Sequence, residues 1–152
     1  MMASNEEVIS TLNDLIETCR DGQNGFKTAA DGVKNPELKQ LFNSYSRQRA
    51  SFVGELQGEV RRLGGDPENS GSVVGALHHG WMNIKSAVTG GDDNAIIGEC
   101  ERGEDSALNA YRDALGKDMP AGVRSIVERQ FSQVKEAHDR IRALESASGT
   151  GA

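Results

Sequence analysis

The sequence predicts an all-α fold, a four-helix bundle made of two tight hairpins joined by one long crossover. Three observations predict it. Apolar residues recur at intervals of three and four along four long segments, and β-branched alternation is nowhere sustained. Only three prolines occur, Pro36, Pro67 and Pro120, each where a helix begins or a loop runs. At 152 residues the chain is about one domain long, enough for one core without a disulfide or structural metal.

The first helix, about residues 5–32, opens at Ser4 or Asn5 as N-cap, with Glu6 and Glu7 where the helix dipole favours acids. Its apolar stripe is Val8, Leu12, Leu15, Cys19, Phe26, Ala30 and Val33, with a polar gap at Gln23. Asn35-Pro36 supplies a cap followed by a first-turn proline, which makes the turn near residue 34 tight. The second helix, about 36–64, carries Leu38, Leu41, Phe42, Tyr45, Phe52, Leu56, Val60 and Leu63. Gly64-Gly65 stop it. The crossover, 65–91, holds a short amphipathic helix at about 73–89 with Val74, Leu77, Trp81, Ile84 and Val88, and Trp81 is its anchor on the bundle.

The third long helix, about 92–116, presents Ile97, Cys100, Ala107, Leu108, Tyr111 and Leu115. After GKDMP the last one, about 120–146, uses Val123, Ile126, Val127, Phe131, Val134, Ile141 and Leu144. Residues 147–152 are small and polar and are expected to be disordered, leaving one domain over 1–146. Two hairpins linked by one long crossover is the connectivity of ferritin-like bundles. Six glycines interrupt the helices: Gly22, Gly25, Gly54, Gly58, Gly98 and Gly103. Each costs ~1 kcal/mol relative to alanine. Gly54 and Gly58, one turn apart, mark a face that a neighbouring helix or a second copy can approach closely.

Composition bounds the function. A net charge of −6 argues against sequence-independent binding to nucleic acid or to an anionic membrane. No stretch approaches the ~20 apolar residues of a membrane span. MMASNEEV lacks a basic region followed by an apolar run, so a cytoplasmic location is expected. Cys19 and Cys100 sit on apolar stripes, outside any CxxC pattern, as small buried hydrophobes do in a reducing compartment. There is no Ser/His/Asp or Cys/His arrangement with a context for nucleophilic catalysis, and no glycine-rich phosphate loop. His78-His79 are adjacent and would point about 100° apart on a helix, unable to share one ion.

Polar residues on the apolar stripes are where chemistry could reside. A ferritin-like di-iron centre takes a carboxylate from each of two helices and a Glu-x-x-His pair from each of the others. Here Glu101 and Glu104 are three apart on the third long helix, and His138 falls between Val134 and Ile141 on the last. Lys135 stands where the acid partner of His138 should be, Cys19 replaces the first-helix acid, and Ser46 and Arg49 replace the second-helix pair. Two arrangements are open to these residues. Glu101, Glu104 and His138 could serve as an incomplete metal set, with iron as its cofactor. Alternatively Arg49, Glu101, Glu104 and His138 meet at mid-bundle as an ion-pair and hydrogen-bond cluster, with no cofactor and no catalytic residue.

The segments LNDLIETCRDG (12–22), EVRRLGGDPENSGS (59–72), ALHHGWMNIK (76–85), ECERGEDSALNAYRDAL (99–115) and EAHDRIRAL (136–144) resemble an uncharacterised bacterial family of ferritin-like four-helix bundles. That family is catalogued as a domain of unknown function and is distantly similar to rubrerythrin and ferritin. The resemblance implies the fold and a bacterial origin, and for some members a stress response. The expectation is a non-catalytic bundle with a degenerate metal site, acting through protein contacts as a homo-oligomer, a dimer at the simplest. The alternative is a di-iron or single-metal protein of the ferritin or rubrerythrin type.

Overall fold

The computed structural model describes residues 4–67 and 80–150, the side chains of 147–150 excepted. Among the described residues there is no strand; the helices are α1 (Asn5–Gly32), α2 (Pro36–Arg62), α3 (Ile84–Gly90), α4 (Asp93–Leu115) and α5 (Ala121–Thr150). No described helix is long and apolar enough to cross a membrane.

Side chains satisfy the helix starts. Ser4 Oγ accepts from the Glu7 N–H at 3.2 Å while the Ser4 N–H reaches back to the Glu7 carboxylate, a capping box. Asn35 Oδ1 accepts from the N–H groups of Glu37 and Leu38 ahead of Pro36. Asp92 caps α4 through the Asn94 N–H. Arg124 on α5 donates to the carbonyls of Leu115 and Lys117, closing the end of α4.

Two boundaries differ from expectation. α5 runs through Thr150 rather than ending near 146, because the Ser and Ala residues after Leu144 do not stop a helix. Among the described residues the crossover helix spans Ile84–Gly90. Gly80, at φ +93°, lies in the left-handed region, through which no α-helix continues. Val74, Leu77 and His78-His79 lie outside the described residues.

Contacts at the two ends set the helix directions. The Asp93 carboxylate accepts from the N–H groups of Lys34 and Asn35, so the α1–α2 turn and the start of α4 share one end. At the other end Asn13 donates to the Asp66 carbonyl and Ile9 covers Gly65, placing the end of α2 beside the start of α1. The crossover therefore travels the length of the bundle, and α2 and α4 run the same way. α1 packs on α2 and α4; α5 packs on α4 and, thinly, on α2; α2 and α4 face each other across a diagonal.

The interior has two apolar halves. One gathers Leu12, Leu15, Leu56, Val60, Leu108, Tyr111 and Val127 near the start of α1. The other gathers Phe26, Phe42, Trp81, Ile84, Ile96 and Ile141. Trp81 holds the crossover to the second half, with its indole edge-on to Phe26 at 4.9 Å between ring centres. Two glycines make its slot: a Cβ on Gly25 of α1 would stand 2.2 Å from the indole, and one on Gly103 of α4 only 2.0 Å. Val88 enters a similar notch at Gly32. The helix-propensity cost of these glycines is thus offset by burying the crossover. Gly54 and Gly58 differ, since a Cβ on either would meet nothing within 4 Å.

Candidate functional site at the centre of the bundle

Every long helix breaks its apolar stripe at the same level. α1 does so at Gly22, between Cys19 and Phe26; α2 at Ser46 and Arg49; α4 at Gly103 and Glu104; α5 at His138. The result is a polar layer between the two apolar halves.

Arg49 dominates that layer. Its side chain is 1% exposed and that of Glu104 is 0% exposed. Arg49 Nη1 and Nη2 donate to the two Glu104 oxygens at 2.5 and 2.6 Å, a bidentate fork across the α2–α4 diagonal. Its Nε donates to Gln48 Oε1, and the guanidinium carbon lies 5.4 Å from the centre of the Phe26 ring. Gly22 opens the path on α1, where a Cβ would be 3.2 Å from Nη1 and 3.3 Å from Cγ. Burial works against the charge on Arg49, but the carboxylate of Glu104 outweighs it and holds the guanidinium more firmly protonated. Ser46, one turn before Arg49, donates to the Gln23 carbonyl at 2.9 Å.

A second buried chain leaves the layer toward the surface. Tyr111 Oη donates to Gln130 Oε1 at 2.7 Å and lies 3.1 Å from Cys19 Sγ. Having given its only proton to Gln130, Tyr111 can act only as acceptor toward Cys19, so the thiol donates. Gln130 Nε2 donates to Glu55, which also pairs with Arg129. Burial raises Cys19 to about 11, outweighing the nearby Arg49 charge, and burial puts Cys100 well above the usual thiol range. Neither cysteine is in a disulfide.

The four residues expected to meet at mid-bundle separate into two places. Arg49 and Glu104 pair in the core. Glu101 and His138 lie together on the α4–α5 seam, but with Asp105 rather than with Glu104. His138 Nε2 is 2.7 Å from Asp105 Oδ1, and its Nδ1 is 3.2 Å from Asp139 Oδ1. Glu104, the third member of the expected metal set, has both oxygens engaged by Arg49. A hydrogen bond with the Glu145 carboxyl, burial, and the charges of Glu145 and Asp105 together raise Glu101 to about 7, with His138 opposing.

Sequence reasoning missed Gln130 and Asp105. Gln130 is buried while Phe131, expected on the stripe, is only partly covered and sits beneath the Arg112 guanidinium. The signal was there: Val127, Gln130 and Val134 keep the three–four spacing. Asp105 is one turn from Glu101 and therefore on its face.

Residues 7–117 match the family model described as "Domain of unknown function (DUF2383)", well over half of the chain, and the chain belongs to that family. Arg49 and Glu104 fall inside the matched segment, whereas Gln130, His138 and Glu145 fall beyond it. No curated protein matches the chain.

Proposed function

We propose that this member of the DUF2383 family is a non-catalytic bundle of ferritin-like connectivity that acts through protein contacts, with an ion pair where ferritins hold metal. One observation carries the proposal: the Arg49 guanidinium crosses the middle of the core and occupies both oxygens of the fully buried Glu104 carboxylate, the level at which a ferritin-like di-metal centre would sit. Two ions at that level would need several carboxylates free to neutralise them. The described centre offers Gly22, Ser46, Arg49 and Glu104, with buried Asp21 next to Gly22 on α1, and a permanent cation among them repels metal. These residues do not fit a di-iron group.

With its centre closed, the molecule has its surface to work with. The open notch at Gly54 and Gly58 on α2 leaves room for the close approach of another helix, and a homodimer through α2 is the simplest partner arrangement. A bacterial cytoplasm and a stress response are the setting that the family resemblance supplies.

Both halves are testable. Iron(II) is titrated anaerobically into EDTA-stripped protein, and air is admitted while the near-ultraviolet is followed. No oxo-bridged ferric band is expected; a band that disappears in Glu104→Ala would overturn the closed centre. Light scattering on a sizing column should return more than one chain per particle, with Gly54→Leu and Gly58→Leu shifting it toward one. A clean monomer at high concentration would end the oligomer proposal.

A further inference from the structure

Several groups beside the central pair take no part in it. Glu101 and Asp105 share one face of α4, and His138 meets them from the antiparallel α5. One ligand atom from each of the three lies within 4.8 Å of the other two. Glu145, about two turns beyond His138, brings a further carboxyl against Glu101. Gly98 gives it room, for a Cβ there would stand 3.1 Å from Glu145 Oε2. The cluster is rich in acceptors and short of donors: Glu101 Oε2 is buried with no hydrogen-bond partner.

We propose that Glu101, Asp105 and His138 form a mononuclear site for a divalent first-row transition ion, set in the α4–α5 seam and separate from the bundle centre, with Glu145 at its edge against Glu101. One imidazole nitrogen with carboxylate oxygens suits Zn(II), Mn(II) or Fe(II), and no thiolate is in reach to favour softer ions. Ligands bound at about 2.0–2.2 Å from such an ion lie about 3–4 Å apart, so the observed spacing closes by rotation of side chains. His138 is already oriented for the task. Asp139 beside Nδ1 holds the ring so that Nε2 faces the carboxylates, the outer contact that metal-binding histidines commonly make. Asp105 and Glu145 are exposed, which gives an ion a route from solvent that the buried Arg49–Glu104 pair lacks.

The test uses the untagged full chain after EDTA treatment. Co(II) should develop visible d–d bands that saturate at one ion per chain, and Zn(II) should displace it. His138→Gln and Asp105→Asn should each weaken Zn(II) binding, measured calorimetrically, by at least about tenfold, and Asp139→Asn by about tenfold. The double variant Arg49→Met/Glu104→Leu should bind as the parent does. Absence of saturable binding at millimolar ion, or binding indifferent to both His138→Gln and the exposed Asp105→Asn, would overturn the site. Loss of binding in the double variant would overturn its separation from the centre. An oxo-bridged iron band, by contrast, bears on the centre alone.

Discussion

Replacing Arg49 with methionine separates a structural ion pair from a solvated one. Met keeps much of the apolar volume but leaves the Glu104 carboxylate, 0% exposed, without its two donors. Breaking one side of a buried pair costs about 3–5 kcal/mol, because the remaining charge is stranded. A domain of this size loses about 2–4 °C in Tm per kcal/mol, so Arg49→Met should melt about 6–20 °C below the parent. Replacing both partners is a different perturbation. Arg49→Met/Glu104→Leu removes both desolvated charges and should be as stable as the parent, or more stable by about 1–4 kcal/mol. Urea titrations of the parent, Arg49→Met, Glu104→Leu and the double variant, followed by circular dichroism, give the coupling directly. A single variant within 1 kcal/mol of the parent, with unchanged helical content, would refute the buried pair.

Other predictions follow from the same packing. Gly25→Ala and Gly103→Ala each push a methyl to about the position of the Trp81 ring, so each should cost about 1–3 kcal/mol or more and shift the emission of the only tryptophan to the red. Blue, parent-like emission in both would show that the indole is not in the slot. With Cys19 at about 11, only about 0.1% of it is thiolate at pH 8, so it should resist a disulfide reagent until denaturant is added; rapid labelling of folded protein would contradict the packing of α1. Burial tends to raise Glu55, but hydrogen bonds from Arg129 and Gln130 outweigh that and hold it below the usual carboxylate range. Its contribution is therefore present above the ordinary carboxylate pKa and is lost as pH falls through the depressed value. Glu55→Gln should flatten that part of the Tm–pH curve below pH 5, and a curve unchanged in shape would argue that the pair is solvated.

The fold was legible where one residue pattern had one meaning. Asn35-Pro36 marks a helix start whatever surrounds it, and the four apolar stripes could belong only to helices. The polar layer was legible as a list of exceptions but not as a set of contacts. Nothing local distinguishes Glu101 from Glu104, three residues apart on one helix. Their neighbours decide: Arg49 takes Glu104, and the arrival of α5 leaves Glu101 to His138 and Asp105. The glycines were equally silent, since Gly25 and Gly54 read alike in sequence and differ only in whether a tryptophan lies against them.

The position of the Arg49–Glu104 pair explains why a costly interaction would be kept. α2 and α4 are diagonal in the bundle, so their backbones stay apart and they meet through side chains. Apolar contacts are non-directional, so across that diagonal they specify axial position less sharply than a hydrogen-bonded fork does, and they act beside the Trp81 slot and the Asp93 contacts that also join the two hairpins. Arginine is long enough to cross the gap, and its fork accepts a carboxylate at one height only. A slide of one turn, about 5.4 Å, would strand both charges. The expected role of the pair is therefore to add a directional contact between the hairpins while contributing little net stability, which is the division of labour that the single and double variants separate.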